Sequence, residues 1–406
     1  MLMPCTWPTT KTPHPGKRDC QMESSARGWV SEMRDDIVTI VETALSLRTS
    51  PPFHEACNTI LVYGAGNMGR DVLHAMNSRG IKVAGFLDRN AALQKRCNGI
   101  QVHPPDWDGL SISQRQRTCV VIALHNGDVE IPPIMDYLRD RGFGTIVSPI
   151  DFHHHFSAEM GDRFWLTSRS SYRMWEDLVC QGYETWDDNR SRQLYLSFLR
   201  FRLTGDYANL PVIDADNEYF PTSIPSWRTP LRFVDGGAFD GDTLRSAADS
   251  QYPIEAAIAF EPDPVSCAKL REYVSSLGNK EICVRPCGIY SSTTHLNFTA
   301  IGLPSSKSDE NGNTSIQMVA LDDAIPSFRP NLIKLDIEGA EYEGLLGAKQ
   351  LIRENRPGLA ICLYHRPQDM WQIPLLIKSW DLGYRLFMRV HKNNGFDLVM
   401  YGIPAK

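Results

Sequence analysis

The stretch that most constrains the fold is FVDGGAFDGDT, Phe233 to Thr243, taken together with AFEP, Ala259 to Pro262. An apolar segment, Leu231 to Val234, predicts a buried strand that ends on Asp235 and continues into a glycine-rich turn and a helix-compatible run. Glycine has no Cβ, so the backbone at such a turn can come close to a ligand at the start of a helix. About twenty residues later a second apolar strand ends on Glu261, where an acid can accept the hydroxyl hydrogens of a ribose. The pattern predicts a site for an adenosine-containing cofactor; a glycine turn that binds nothing is the alternative.

Two further strands of the C-terminal region end in ionisable residues. LIKLDIEGAEYEGLLGA, Leu332 to Ala348, contains a buried strand that ends in Asp336, Glu338 and Glu341, and VALDDAI lies just upstream of it. Another apolar strand, Gly358 to Tyr364, is followed directly by His365. Open α/β sheets bind ligands at the carboxyl ends of their strands, so these side chains are expected in the same crevice as the glycine-rich turn.

Four motifs in this order, DGGAFDGDT, AFEPDP, VALDD and IKLDIEGAE, resemble those of the FkbM-type S-adenosylmethionine-dependent methyltransferases. The resemblance covers roughly Arg232 to Pro404. It implies a Rossmann-like class I methyltransferase fold with a seven-stranded sheet, S-adenosylmethionine as cofactor, and O-methyl transfer as the commonest activity. The expected cofactor-binding residues are Asp235, Gly236, Gly237, Phe239, Asp240, Gly241, Thr243, Glu261, Pro262, Cys287, Gly288 and Asp336.

Methyl transfer from a sulfonium needs an aligned oxygen nucleophile and a group that removes its proton. Imidazole has an unperturbed pKa near neutrality, so His365 is the predicted catalytic base, supported by Asp336 and Glu338. Two alternatives stay open: a histidine bonded structurally to the DIEGAE loop, and a carboxylate–histidine cluster that holds a divalent ion. The expected acceptor is a hydroxyl group on a sugar, a glycan or a secondary metabolite.

The N-terminal half contains a second glycine-rich motif. TILVYGAGNMGRDVL has glycines at GxGxxG spacing between a predicted strand and a predicted helix, and VAGFLD ends a second strand about twenty residues further on. This arrangement directs a helix N-terminus at a pyrophosphate and an acid at a ribose. The predicted second nucleotide site consists of Gly64, Gly66, Asn67, Met68, Gly69 and Asp88.

This N-terminal unit resembles the nucleotide-binding domain of the PglD-type sugar acyltransferases through VYGAGNMGRDV, GFLDRN and NGIQVHPPDW. That family binds a nucleotide-sugar there, so NAD or a nucleotide-sugar is the expected ligand. No hexapeptide repeat follows, so acyl transfer is not implied. Two alternatives stay open: a unit that only packs or dimerises, and a protein whose working site is this unit, as an NAD-linked oxidoreductase or a nucleotide-sugar sensor.

A length of 406 residues favours more than one domain. We expect an α/β protein with two Rossmann-like units joined by a helical region. Asp214 to Trp227 lies just before the first methyltransferase strand and is positioned to cap the substrate pocket; His153 to His155 are expected in a loop or on the surface. The expected divisions are a disordered tail (1–28), a helix and linker (29–57), a Rossmann-like domain (58–150), a helical linker or cap (151–230) and a methyltransferase domain (231–406).

Composition excludes several classes of protein. A formal net charge of −6 without a long basic run disfavours a nucleic-acid partner. Ten cysteines without a CxxC pair disfavour a zinc site or a disulfide framework and favour reduced thiols in the cytoplasm. No apolar run reaches the roughly 18 to 20 residues that span a bilayer, and the N-terminus lacks the apolar core of a signal peptide. A small-molecule or glycan acceptor is the expected partner, with a homodimer left open.

Overall fold

A computed structural model describes residues 34–47, 57–278, 281–298 and 314–405. The tail predicted for residues 1–28 lies outside these ranges. The segment from Ile301 to Asn313, whose polar, glycine-, proline- and serine-containing sequence predicts a loop, also lies outside them. The helices are α1 (34–46), α2 (Asn67–Ser78), α3 (Ile112–Gln116), α4 (Ile131–Asp140), α5 (Pro149–His155), α6 (Ser157–Met160), α7 (Arg169–Glu184), α8 (Asn189–Thr204), α9 (Asp242–Asp249), α10 (Pro264–Ser276), α11 (Leu321–Ala324), α12 (Glu341–Leu346), α13 (Lys349–Asn355) and α14 (Asp369–Ser379). The strands are β1 (Thr59–Tyr63), β2 (Gly85–Leu87), β3 (Arg96–Cys97), β4 (Ile100–His103), β5 (Thr118–Ile122), β6 (Thr145–Val147), β7 (Leu231–Gly236), β8 (Ile254–Phe260), β9 (Glu281–Arg285), β10 (Gly288–Ile289), β11 (Thr294–Phe298), β12 (Thr314–Val319), β13 (Leu332–Leu335), β14 (Gly358–Cys362), β15 (Arg385–Val390) and β16 (Leu398–Ile403).

The first six strands form one sheet in the order β3-β4-β2-β1-β5-β6. Every pair in it is parallel except the antiparallel pair of β3 and β4. The central strands β1 and β5 are almost wholly apolar because helices cover both faces of a parallel sheet. Strand order reverses between β1 and β5, which places a crevice at their carboxyl ends, next to the GxGxxG loop.

Helices α5 to α8 connect the two sheets, and one prediction for this region is wrong. His153 to His155 do not form a surface loop but the last turn of α5, whose N-cap Ser148 accepts a hydrogen bond from Asp151 N. His153 is fully buried, with its Nε2 2.9 Å from Gly161 O, and His154 Nε2 lies 3.1 Å from Arg202 O. Burial lowers the pKa of both imidazoles, so they are neutral polar groups held by backbone carbonyls.

The C-terminal strands form a seven-stranded sheet in the order β15-β16-β14-β13-β7-β8-β9, which confirms the predicted α/β methyltransferase-like fold. Its strands are parallel except β16, which runs antiparallel to β14 and β15. Strands β15 and β16 form a closing antiparallel pair, and a loop of residues 391–397 joins them. A small sheet in the order β10-β12-β11 lies beside the carboxyl ends of the strands of this larger sheet.

One continuous hydrophobic core runs through both units and the helices between them. It includes an apolar stripe of α8, whose side chains Tyr195, Phe198, Leu199 and Leu203 are at most 1% exposed. The eight cysteines in the described ranges are free thiols; Cys119 and Cys362 are buried as expected, whereas Cys283 is exposed. Within the same ranges, no helix has the length and apolar character needed to cross a membrane.

Candidate active site

A cavity of about 250 Å³ lies at the carboxyl ends of β7, β8, β13 and β14, beside the point where strand order reverses. Open α/β sheets bind their ligands at this position. Residues from the loops after these strands, from the small sheet, from the segment before β7 and from the 391–397 loop surround it. Its lining consists of Glu218, Tyr219, Gly237, Phe239, Asp242, Phe260, Glu261, Pro262, Ser266, Gly288, Ile289, Ile316, Met318, Asp336, Ile337, Glu338, Ala340, Tyr364, Lys392 and Asp397.

The structure brings half of the expected cofactor residues to this cavity. Those that line it are Gly237, Phe239, Glu261, Pro262, Gly288 and Asp336. Those that do not are Asp235, Gly236, Asp240, Gly241, Thr243 and Cys287. The second group has structural partners instead: Asp240 pairs with Arg245, Gly241 caps α9, and Thr243 and Cys287 are buried. Of the three expected catalytic residues, Asp336 and Glu338 line the cavity and His365 does not.

Asp235 is buried beneath the glycine turn as half of an ion pair. Its Oδ1 lies 3.2 Å from Lys334 Nζ, and both side chains are at most 2% exposed. Lys334 also donates to the carbonyl oxygens of Gly236, at 3.1 Å, and Gly237, at 2.6 Å. Burial raises the pKa of Asp235 to about 6, although Lys334 opposes that shift. The pair ties β13 to the turn that follows β7, so Asp235 shapes the cavity floor without touching its contents.

Gly237 allows the loops after β7 and β13 to approach each other closely. Its φ is +71°, and a Cβ at this position would lie 1.8 Å from Asp336 O. Three cavity residues that are not glycine also have positive φ: Phe239 at 45°, Glu338 at 56° and Asp397 at 47°. Such conformations cost about 1–3 kcal/mol each and cluster at functional sites, which supports this cavity as the site.

Glu261 ends β8 where the ribose-binding acid is expected, and its carboxylate also organises the loops. Its Oε2 accepts a hydrogen bond from Phe239 N at 2.8 Å, and its Oε1 accepts one from Asp263 N at 2.7 Å. Burial raises the pKa of Glu261 to about 7, and these hydrogen bonds limit the rise. Each carboxylate oxygen has a second lone pair, so Glu261 can still accept hydroxyl hydrogens from a ligand.

Asp336, which also lines the cavity, accepts hydrogen bonds from two tyrosine hydroxyls. Tyr219 Oη donates to its Oδ2 at 3.0 Å, and Tyr364 Oη donates to its Oδ1 at 3.5 Å. Burial works to raise the pKa of Asp336, but Lys334, His365 and the Tyr219 hydrogen bond outweigh burial and lower that pKa. Asp336 is therefore an ionised acceptor at neutral pH.

His365 lies behind the acids that face the cavity. Its Nδ1 is 2.9 Å from Glu341 Oε1, and its Nε2 is 3.4 Å from Asp336 Oδ1 and 3.7 Å from Glu338 Oε2. Burial works to lower the pKa of His365, but Glu341, Glu338 and Asp336 outweigh it and raise that pKa to about 10. The imidazole is thus a cation at neutral pH, with carboxylates on both of its nitrogens.

Among the described residues, two groups of side chains have the spacing that a metal ion would need. In the group of Asp336, Glu341 and His365, the two ring nitrogens face different carboxylates, so the ring bridges these acids as a doubly protonated cation. In the group of Glu218, Asp336 and Cys362, burial raises the pKa of the thiol well above its usual value. Lys334 adds a positive charge close to this group, and that charge opposes the binding of a cation there.

Sequence reasoning missed seven cavity residues with polar side chains: Glu218, Tyr219, Asp242, Ser266, Tyr364, Lys392 and Asp397. The segment of Glu218 and Tyr219 was expected near the pocket, but neither residue was singled out. Lys392 and Asp397 belong to the 391–397 loop, where Lys392 Nζ lies 3.3 Å from Asp397 Oδ2 and 3.5 Å from Asp128 Oδ1 of the N-terminal unit. A turn motif in the sequence carries no information about such a partner.

The 391–397 loop also joins the N-terminal unit through backbone contacts. Asn394 Nδ2 donates to the carbonyl oxygens of Asn126, at 2.9 Å, and Val129, at 2.7 Å. Asn393 N donates to Gly127 O at 3.1 Å. The loop after β5 of the first sheet is thereby fixed to a wall of the cavity in the second.

The second predicted nucleotide site is assembled as a loop, strand end and helix start. Gly64 has a φ of +107°, a Cβ on Gly69 would lie 2.1 Å from Gly64 O, and a Cβ on Gly66 would meet nothing within 4 Å. Asp88 Oδ2 accepts from Ala65 N at 2.7 Å, so the acid organises the loop. The remaining two residues differ: Met68 is buried in the core, and Asn67 contacts Arg70.

Comparisons with known proteins agree with this architecture. Residues 235–396 match the family model described as "Methyltransferase FkbM domain". The crystal structure of methyltransferase FkbM from Methylobacillus flagellatus KT is 19% identical, with a TM-score of 0.74, and the match covers 92% of this chain and 100% of that chain. At this identity the likeness shows the fold alone, and its coverage extends to both sheets. No curated protein matches the chain.

Two other solved structures are similar at a lower level. An rRNA methylase from Streptococcus thermophilus is 15% identical with a TM-score of 0.27, covering 43% of this chain and 86% of that chain. The SAH-bound methyltransferase PaMTH1 from Podospora anserina is 10% identical with a TM-score of 0.28, covering 59% of this chain and 94% of that chain. Overlap at this level is too low to compare sites. The family model, by contrast, matches most of the seven-stranded unit: residues 235–396, from the end of β7 to the loop before β16, are similar to a methyltransferase FkbM domain.

Proposed function

We propose that the protein transfers a methyl group from S-adenosylmethionine to a hydroxyl oxygen of a sugar, a glycan or a secondary metabolite. The observation that carries the proposal is the single cavity at the strand ends, which joins a wall suited to an adenosine to a cluster of ionisable side chains. The FkbM domain match supports methyl transfer as the reaction.

The chemistry of the lining fits S-adenosylmethionine. Apolar side chains of Phe260, Pro262, Ile289, Ile316 and Met318 offer surfaces for an adenine, and the Glu261 carboxylate lies beside them for a ribose. Asp242, Asp336 and Glu338 also face the cavity and complement a cationic ligand. When bound, S-adenosylmethionine would supply an electrophilic methyl group on a positively charged sulfur.

The chain's own residues then have to orient an acceptor oxygen and accept its proton. Positioning accounts for most of the rate gain in such a displacement, and a base adds about 10²–10⁴-fold. Asp336 is ionised, faces the cavity and is held by Tyr219 and Tyr364, so we propose that it orients the acceptor hydroxyl, together with Glu338. A cationic His365 outside the lining does not suit the role of base expected from the sequence. We propose instead that its charge keeps Asp336 ionised and holds Asp336 and Glu338 in place.

Direct tests of the proposed reaction use the full-length protein. Titration calorimetry with S-adenosylmethionine, its demethylated product, NAD and a uridine-diphosphate sugar should give binding of the first two at the C-terminal cavity. Incubation with methyl-labelled S-adenosylmethionine and a panel of neutral hydroxylated acceptors should give a labelled methyl ether, detected by mass spectrometry. Binding of neither sulfur compound would contradict the proposal.

We expect Glu261→Gln to weaken S-adenosylmethionine binding by about 1–3 kcal/mol, since ribose hydroxyls would lose a charged acceptor. Wild-type affinity should increase as pH rises through about 7, because the raised pKa of Glu261 delays its ionisation to that range. Calorimetry from pH 6 to pH 8 measures both effects, and the variant should lack the pH dependence.

A control is needed because Glu261 also accepts hydrogen bonds from Phe239 N and Asp263 N. Glu255→Gln alters an exposed acid on the same strand, paired with Arg232, and should leave affinity unchanged. Equal melting temperatures for the two variants would show that the fold is intact. Unchanged affinity in Glu261→Gln would then remove Glu261 from the cofactor site.

A second candidate function belongs to the N-terminal unit, where the exposed side of the glycine loop favours a ligand. Gly66 stands at the start of α2 and faces open space. We propose that NAD or a nucleotide-sugar binds there through its phosphates. Thermal shift of the full chain with millimolar NAD or uridine-diphosphate sugar should show stabilisation that Gly66→Asp abolishes, because the new carboxylate would repel a phosphate. Gly66→Ala adds only an uncharged methyl group to the same open space and serves as the control. Absence of stabilisation of wild type by either ligand would favour a packing role.

A further inference from the structure

Glu218 reaches the cavity from outside the methyltransferase FkbM domain. It lies in the segment between α8 and β7, ahead of the matched residues 235–396. Tyr401 Oη donates to its backbone oxygen, and His391 Nε2 lies 2.7 Å from that hydroxyl, so a strand of the main sheet fixes the backbone of Glu218. The following residue, Tyr219, is bonded to Asp336. The segment therefore delivers one acid and one phenol to the acidic end of the cavity.

Glu218 and Asp336 form a close pair of carboxylates. Oxygen atoms of the two side chains and Cys362 Sγ all lie within 4.8 Å of one another. Two acids this close do not both ionise easily, and the environment of each decides which one keeps its proton. Asp336 has the hydrogen bonds of two phenols and two nearby cations, whereas Glu218 faces a further acid, Asp397. The proton is therefore held by Glu218.

We propose that Glu218 is the catalytic residue that takes the proton from the acceptor hydroxyl during methyl transfer. This assignment rests on the proposed function, and it gives the segment before β7 a chemical role. Asp336 orients the hydroxyl, and Glu218, across the same end of the cavity, receives its proton. The O–H bond breaks and its proton passes to the Glu218 carboxylate. The freed electron pair of the oxygen forms the bond to the methyl carbon, and the electron pair of the broken carbon–sulfur bond stays on the sulfur.

Several charged and titratable groups surround Glu218 from different elements. They are Asp336 and Lys334 at β13, Asp397 and Lys392 in the 391–397 loop, Tyr401 on β16, Cys362 on β14, and the neighbouring Tyr219. Burial raises the pKa of Glu218 most, and the nearby acids Asp397 and Asp336 raise it further, to about 8. A hydrogen bond with Tyr219 and the charge of Lys334 oppose this rise. A pair of acids whose pKa values are pushed apart divides the roles of proton acceptor and ionised anchor between them.

The decisive variant is Glu218→Gln, which keeps the size of the side chain and removes the proton acceptor. It should lower kcat by about 10²-fold or more and leave S-adenosylmethionine affinity, measured by calorimetry, unchanged. Glu218→Asp should retain part of the activity, because a carboxylate remains. Wild-type kcat should rise with pH through about 8, since Glu218 must be ionised to accept a proton. Asp397→Asn should move that rise to lower pH by removing an acid that disfavours ionisation of Glu218.

A readout without catalysis separates this inference from the proposed function. Infrared difference spectra between pH 6 and pH 9 should show a protonated carboxyl band of Glu218 that disappears as pH rises and is missing in Glu218→Gln, whereas that variant keeps the bands of Glu261 and Asp369, which titrate in the same range. If the protein methylates acceptors but Glu218→Gln retains kcat, Glu218 is not the base and the proposed function stands. If the band is missing from wild type, the inference is overturned whatever the activity. If the band is present but wild type transfers no methyl group to any acceptor, the proposed function fails, and the catalytic role of Glu218 fails with it.

Discussion

Replacing Lys334 by methionine should lower the free energy of unfolding by about 3–5 kcal/mol, because Asp235 would remain buried without its partner. The carbonyl oxygens of Gly236 and Gly237 would lose a donor in the same change. Urea unfolding, with midpoint and slope both fitted, measures the loss. The double variant Lys334→Met/Asp235→Asn should recover most of it, since no charge is then left buried.

Lys378 provides a matched comparison at the surface. Its Nζ lies 3.1 Å from Asp187 Oδ2 and donates to Tyr384 O at 2.9 Å, nearly the same contacts as those of Lys334. Because this pair is partly exposed, with side chains 36% and 27% accessible, Lys378→Met should cost no more than about 1 kcal/mol. If the two variants lost similar amounts of unfolding free energy, burial would not make the Lys334–Asp235 pair more important for stability than an exposed pair.

His365→Gln should lower kcat by about 10²-fold while leaving cofactor affinity nearly intact, since the acids that orient the acceptor lose their cation. The pH profile distinguishes positioning from base catalysis. If His365 acts as a cation, wild-type kcat should rise through about 8 and fall as His365 loses its proton near 10. If His365 is the base, kcat should instead keep rising through about 10.

The variant's own profile completes that test. His365→Gln should lack the alkaline fall, because the titrating cation is gone, and should keep the rise that we assign to Glu218. His154→Gln removes a half-buried histidine of α5, which is bonded to Arg202 O on α8, and controls for general loss of packing. A chelator should have little effect, because the acids near His365 are arranged around a protonated ring. A normal kcat in His365→Gln would make the histidine purely structural.

The strands that carry the glycine-rich motifs and the acids at their ends were predictable because the information is local. An apolar run followed by glycines and an acid predicts a strand, a turn and a ligand-facing side chain within about 30 residues. Gly237, Glu261 and Asp336 were found in this way, and all three line the cavity.

The rest depends on contacts between distant parts of the chain. Lys334 stands within an apolar strand, so its pairing with Asp235 cannot be inferred from either motif. The position of Glu218 is set by Tyr401, and that of Lys392 by Asp128 and Asp397, which no periodicity records. The pKa of His365 likewise follows from three acids that meet only in the folded protein. Residue types therefore predicted where ionisable side chains lie better than they predicted which of these side chains carry a proton.

The contacts of the 391–397 loop also limit how such proteins can be recombined. Asn394 needs the carbonyl oxygens of Asn126 and Val129, and a Cβ on Gly127 would lie 2.7 Å from the side chain of Lys392. A chimera that joins a foreign first sheet to this methyltransferase unit must therefore keep residues 126–129. Otherwise it loses the contacts that position Lys392 and the rest of the 391–397 loop. Natural exchange of the two halves faces the same requirement, so the halves are expected to be inherited as a single block.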